Sequence, residues 1–132
     1  MVEVSNDAKK FLEKGRVLRI ATIDKRGFPC IAPFCYWIQD DSVYILTRPE
    51  TKTVRNLRKN TEAAILIDHY DEDWSQLKFC MIKGKTTLIE DRDEVLKLHA
   101  IRGNKYSQQG DHMGRKFVVI QLKPSKIATL RL

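Results

Sequence analysis

The chain has 132 residues, a formal net charge of +7 and 42% hydrophobic residues. That length suits one domain spanning residues 1–132 with a proper core, and the apolar content excludes a disordered chain. No apolar run approaches the roughly 20 residues of a membrane span, and "MVEVSNDAKKFLEKG" lacks a secretory-type apolar stretch, so a cytoplasmic protein with no membrane partner is expected.

"SNDAKKFLEKG" predicts a short helix, capped by Ser5, with Ala8, Phe11 and Leu12 on one face and Gly15 at its end. "RVLRIATID" reads as a strand, "KRG" as a turn, and "FPCIAPFCYWIQ", "DD" and "SVYILT" as two further strands around a tight turn. Together these predict an antiparallel meander. "PETKTVRNLRKN" predicts a second helix with Thr51 as its N-cap, Val54 and Leu57 inward, and Lys52, Arg55, Arg58 and Lys59 outward. "TEAAILID" is a strand, "HYDEDWSQ" a loop, and "LKFCMIKGKTTLI" a long strand bent or bulged at Gly84. "DRDEVLKLHAIRG" predicts a third helix, opened by Asp91 and Glu94 and closed near Gly103. "NKYSQQGDHMGR" has no periodicity and reads as a loop; "KFVVIQL" and, after Pro124, "KPSKIATLRL" read as two strands. The expected class is α+β, mainly β: about six strands in an antiparallel barrel with small flanking helices.

The strand "FPCIAPFCYWIQ" is apolar on both faces: Ala32, Phe34, Tyr36 and Ile38 on one, Ile31, Cys35 and Trp37 on the other. Both faces are therefore expected to be buried, one in the barrel and one under a cover such as a second subunit. Pro33 cannot donate a ladder hydrogen bond, which predicts an edge or a bulge there. Cys30, Cys35 and Cys80 are an odd number without C-x-x-C spacing, so buried free thiols are expected.

The acidic run "DHYDEDW", residues 68–74, misses the spacing of a calcium loop and has too few histidines for zinc, so no metal site is expected. Its acids are expected to face solvent or to pair with the basic helix. That helix is the stronger lead. Thr47, Thr51 and Lys52 bring two hydroxyls, backbone amides and a cation around one helix N-terminus, an arrangement shared by phosphate sites and by solvated basic helices. His69, His99 and His112 stand alone, with His99 expected in packing, and no nucleophile–base pair is legible. No side chain is therefore assigned a catalytic role, and any redox chemistry is expected to belong to a cofactor.

Residues 15–90 resemble the pyridoxamine 5'-phosphate oxidase-like, FMN-binding split-barrel superfamily. The resemblance rests on "ATID", then Gly27, Pro29 and Pro33, then a strand ending in Thr47, then Lys52 with "NL" and "ID". "DHYDEDWS" followed by Lys83–Gly84 resembles a subgroup thought to use the deazaflavin coenzyme. The resemblance implies a six-stranded split barrel that dimerises, with a cofactor, FMN or deazaflavin, at each end of the interface. It implies that Pro33, Phe34 and Cys35 flank the ring, that Thr47, Thr51 and Lys52 hold the phosphate with help from Arg55, and that Trp74 and Lys78 reach across to the partner's cofactor. Ala32, Trp37 and Phe79 stand where vitamin B6 oxidases carry basic residues and a glutamine, and "KPSKIATLRL" lacks their Trp and Arg, which argues against vitamin B6 oxidation. Gln76 stands where the deazaflavin subgroup usually has Arg.

The expectation is a homodimeric oxidoreductase that passes hydride or electrons to a small-molecule substrate, with no nucleic-acid partner. The alternatives are a basic nucleic-acid-binding barrel stacking bases on Tyr36, Trp74 and Phe79, and a non-catalytic flavin or haem carrier on the same fold.

Overall fold

The computed structural model describes residues 2–101, 105 and 116–132. Its elements run α1 (Asn6–Lys14), β1 (Leu18–Ile23), β2 (Pro29–Phe34), β3 (Trp37–Gln39), β4 (Ser42–Thr47), α2 (Lys52–Lys59), β5 (Glu62–His69), β6 (Lys78–Ile89), α3 (Arg92–Ile101) and β7 (Val118–Leu130). A short 3-10 turn, Trp74–Gln76, precedes β6. Apart from Lys105, the expected loop "NKYSQQGDHMGR" lies outside the described residues, as do His112 and the third helix's expected end near Gly103.

The strands form one antiparallel sheet in the order β2-β1-β5-β6-β7-β4-β3. Among the described residues there are seven where about six were expected, and the expected boundaries shift in two places. "FPCIAPFCYWIQ" divides at Cys35–Tyr36 into β2 and β3, while "KFVVIQL" runs on through Pro124 into "KPSKIATL" as the single strand β7. The expected meander is corrected with it. β2 pairs with β1 and β3 with β4, but these hairpins occupy opposite edges of the sheet. Three Cα steps, at most about 11 Å, separate Phe34 from Trp37. Such a short crossing between the two edges forces the sheet to curl into a half-barrel, the split-barrel form of the α+β class. Tyr36 locks the crossing: it is 1% exposed, and its hydroxyl donates to the Leu12 carbonyl at 2.5 Å.

β7 tolerates Pro124 because Pro124 faces Gly84, where the β6–β7 register shifts. A side chain at Gly84 would run into the Lys123 carbonyl oxygen, so only glycine fits this close approach. Pro33 sits on the edge strand β2, as its missing N–H requires. The helix signals hold as read. Ser5 caps α1 by accepting the Ala8 N–H, Thr51 caps α2 by accepting the Val54 N–H, and Asp91 accepts the Glu94 N–H ahead of α3. Gly15 ends α1 in an extended conformation; glycine is needed because the Tyr36 hydroxyl occupies the place of a Cβ.

Alternation along the strands separates two faces. One row across the sheet, Ala32–Ile20–Ile65–Ile82–Ile127, points into the barrel, where Leu12, Leu18, Val54 and Leu57 complete the core. Each fully buried Ile or Leu stabilises the fold by roughly 1.5–3 kcal/mol. The opposite face divides in two. Over β3, β4 and β7 it is covered by α3, with Val95 and Leu98 against Trp37, Tyr44 and Val119; the Trp37 and Tyr44 rings stack at 5.4 Å. Over β2, β1, β5 and β6 no described element covers it. The row Ile31–Ala21–Ala64 lies there, beside Leu66 and Met81, and Ile31 is 73% exposed.

The expectation that both faces of the "FPCIAPFCYWIQ" segment are buried thus holds at Tyr36 and Trp37 and fails, within one chain, at Ile31 and Cys35. The three thiols are free, but only Cys80 is buried; Cys30 is half-buried and Cys35 exposed, because β2 is an edge with one face uncovered.

Candidate functional site

The sequence Val54-Arg55-Asn56-Leu57 decides how α2 sits. Val54 and Leu57 enter the core, and between them Asn56 donates from its side-chain amide to the Thr22 hydroxyl at 3.0 Å. That bond is buried and fixes the helix against β1. The opposite face of α2, with Lys52, Arg55 and Lys59, then lines a hollow of about 430 Å³ whose far wall is the β1–β2 turn, Asp24, Lys25 and Arg26. Among the described residues, five cations surround this hollow and no apolar side chain lines it.

Asp24 is the one carboxylate on that wall. It accepts the backbone N–H groups of Arg26 and Phe28 at 2.8 and 2.9 Å. The Phe28 N–H above all, then that of Arg26 and the charges of Lys52 and Lys25, holds its carboxyl below the usual range. Its charge therefore serves the turn. α2 also begins without an acidic residue, whereas α1 carries Asp7 and α3 carries Asp93 and Glu94 in their first turns. The positive end of the α2 dipole is left for an external anion.

Lys52 and Arg55 come together in this hollow. Thr51 caps the same helix, using its hydroxyl on the Val54 N–H at 3.3 Å, and Arg55 also donates to the Glu50 carbonyl at 3.1 Å. Thr47 is buried at the end of β4. Lys59, already expected on the outward basic face, and Lys25 and Arg26 complete the cation set; the last two were not anticipated, because "DKRG" reads only as a turn until the fold carries it to α2.

Pro33 and Phe34 lie at the far end of β2 from that turn, with Cys35 just beyond. β2 has six residues, about 20 Å at the rise of an extended strand. An elongated molecule with its anionic end at α2 can therefore lie along β2 with its other end near Pro33 to Cys35. Trp74 is 68% exposed in the 3-10 turn, its indole N–H donating to the Tyr70 hydroxyl at 3.4 Å, and Lys78 opens β6, half-buried. The register places Lys78 opposite His69, away from the α2 hollow. Within one chain, therefore, Trp74 and Lys78 do not join Lys52 and Arg55.

The acidic run organises itself. Asp71 accepts the Asp73 N–H, Asp73 accepts both the N–H and the hydroxyl of Ser75, and Asp68 pairs with Arg19 at 3.2 Å. These acids face solvent, and none pairs with α2; the basic helix instead pairs through Arg58 with Glu90, at 2.5 and 3.1 Å. Among the described residues no three His, Cys, Asp or Glu side chains converge on a possible metal position, and no helix is long and apolar enough to cross a membrane.

Solved structures share this architecture. A conserved hypothetical protein from Mycobacterium tuberculosis superposes with a TM-score of 0.84 at 17% identity, over 98% of this chain and 85% of that one. The haem storage protein HutZ from Vibrio cholerae gives 0.78 at 17% identity, over 98% and 94%, and an F420 reductase gives 0.76 at 15% identity, over 95% and 98%. At these identities the likeness is one of fold. No curated protein sequence matches the chain significantly. The pyridoxamine 5'-phosphate oxidase family model matches residues 5–131, nearly the whole length, and by that match the chain belongs to this family.

Proposed function

We propose that the chain is a homodimeric oxidoreductase that binds FMN or a deazaflavin coenzyme through its phosphate at α2. The observation that carries this reading is the α2 hollow: five cations, no apolar lining, and a helix whose first turn lacks an acid. A phosphate-bearing cofactor fits that donor set. When bound, such a cofactor supplies hydride or electron transfer to a small molecule. The chain's own residues do simpler work. Lys52 and Arg55 hold the phosphate, Thr51 and Asn56 fix the helix that presents them, and Pro33 to Cys35 lay the β2 backbone beside the ring. No side chain needs to act as a general base.

The uncovered face supports the dimer. Ile31, Ala21, Ala64, Leu66 and Met81 form an apolar strip bordered in the same rows by Arg19 and Lys83, and a second copy laid on it would bury them. Trp74 and Lys78 of that copy are then proposed to close over the ring. Of the three aromatics expected to stack bases, Tyr36 is buried and Phe79 half-buried, and only Trp74 is exposed, which weighs against that set as a nucleic-acid platform.

The test is titration of the full chain with FMN and with the deazaflavin coenzyme, followed by visible absorption. Micromolar binding of one of them is expected. Lys52→Glu with Arg55→Glu should weaken it by roughly a hundredfold or more, the scale of two lost charge-assisted hydrogen bonds. Absence of binding by both coenzymes sinks the reading. Turnover with a reductant separates an enzyme from a carrier on the same fold, and mass spectrometry of cofactor released from native-host protein identifies which coenzyme is used.

A further inference from the structure

A second concave surface lies between α1 and the start of β6. Two hollows, of about 260 and 280 Å³, adjoin there and share Phe11, Lys14 and Lys78. Unlike the α2 hollow, this groove has an apolar floor, built from Phe11 with Ile67 on one side and Leu132 on the other. Its rim is cationic. Positions 7, 10, 11 and 14 form one stripe of α1, so Lys10 and Lys14 flank Phe11, while Lys78 and Arg131 face them.

Of these charges, Arg131 lies near the Asp73 carboxylate, whose pKa it helps to lower, while the lysines have no ion pair among the described residues. Lys9, off the stripe, pairs with Asp41 at 3.2 Å, but among the described residues Lys10, Lys14 and Lys78 have no carboxylate within ion-pair distance. Arg131 is held in place: its backbone is left-handed, φ 57°, and its guanidinium donates to the Leu77 carbonyl at 3.0 Å. The carboxylates at the groove are committed elsewhere. Asp68 pairs with Arg19 at 3.2 Å, and Asp7 complements the positive end of α1 from its first turn. Four cations converging over apolar side chains repel one another, and an anion relieves that repulsion. The lysine stems add to the apolar wall while their ammonium groups stay at the rim.

We propose that this groove binds a small organic anion with an apolar body, a carboxylate or sulfonate on a hydrocarbon or aromatic frame. The floor buries the body and Lys10, Lys14, Lys78 and Arg131 hold the charged end. Each hollow alone falls below the usual ligand-pocket range of about 300–1,000 Å³, and the two joined enter it. The site shares Lys78 with the proposed cofactor closure, but its floor and its other three cations, Lys10, Lys14 and Arg131, take no part in that reading.

The test titrates the full-length chain with anilinonaphthalene sulfonate, an aromatic anion that fluoresces in apolar surroundings, and competes it with decanoate. One saturable site per chain is expected, weakened by salt and displaced by decanoate. Lys10→Glu with Lys14→Glu should weaken binding about tenfold or more, Lys10→Gln with Lys14→Gln less so, and Lys10→Arg with Lys14→Arg hardly at all. FMN affinity should stay within about twofold in all three, since these exposed charges lie outside the α2 hollow. Binding that does not saturate, or that ignores the charge of positions 10 and 14, overturns the proposal. So does loss of FMN and sulfonate binding together, which would make the groove part of the cofactor site.

Discussion

The orientation of α2, and with it the cation set, depends on the bond between Asn56 and Thr22. These residues are 6% and 2% exposed, and the amide donates to the hydroxyl at 3.0 Å. Thr22→Val keeps the shape and removes the acceptor, leaving a buried amide N–H with nothing in reach at that position. Such a group costs about 1–3 kcal/mol. With a urea m-value near 2 kcal/mol/M for a chain this size, the midpoint should fall by about 0.5–1.5 M. Asn56→Leu leaves the hydroxyl without its donor and should cost a similar amount. The double variant removes both polar groups, so its cost should be smaller than the sum of the singles by about 1–2 kcal/mol. Urea unfolding of all four proteins at one fixed chain concentration, which matters if subunits associate, measures this coupling. Additivity of the two singles within about 0.5 kcal/mol would refute the reasoning, as would a negligible effect of Thr22→Val alone.

Gly84→Ala pushes a methyl group onto the Lys123 carbonyl, a backbone atom that cannot swing aside. Overpacking of this kind costs about 1–3 kcal/mol or more, so thermal unfolding should drop by at least about 3 °C; an unchanged melt would mean that the two strands do not approach so closely. Burial pushes the Cys80 thiol up to about 11 from 9.0. Between those values the folded chain keeps a proton the unfolded chain has lost, so stability falls as pH rises past 9 and levels off beyond 11. Comparing wild type with Cys80→Ala from pH 8 to 11 isolates that slope, and parallel curves would place a solvated thiol at position 80. Asp71→Asn with Glu72→Gln alters an exposed loop that is separate from α2, so FMN affinity should change by no more than about twofold; a large loss measured by the same titration would bring the loop into the site.

The local signals were legible because they are chemical. Ser5, Thr51 and Asp91 cap helices by side-chain geometry that the sequence displays, and Gly84 marked its own bulge. The pairing of strands was not legible in the same way. Cys35–Tyr36 looks like the middle of one apolar strand, since the apolar run continues unbroken through it, yet the chain changes sheet edges there. Pro124 looked like a strand end because proline cannot donate, but a register shift opposite Gly84 removes the need for a donor. The site followed the same division. Lys52 and Arg55 lie on one helix with a readable period, while Lys25 and Arg26 reach the hollow only through the β1–β2 hairpin, a tertiary placement that no local spacing encodes.

The crossing at Tyr36 also explains why the proposed site calls for a second copy. Because β2 and β3 take opposite edges, α3 covers β3, β4 and β7, and no described element reaches the outer face of β2, β1, β5 and β6. The phosphate end of the proposed cofactor has its full complement of cations from one chain. The ring end, at Pro33 to Cys35, lies on an edge strand whose neighbour Ile31 is 73% exposed. A flavin-type ring left there would meet water on its open side, which a redox site excludes. A second copy covering Ile31, Ala21, Leu66 and Met81 would bury that apolar face and shield the ring in one step. The proposal thus predicts that dimer formation and cofactor affinity are coupled. Ile31→Lys, on the uncovered face at the middle of β2 and outside the α2 hollow, should weaken both association, read by sedimentation, and FMN affinity; full FMN affinity in a monomeric Ile31→Lys chain would break the link.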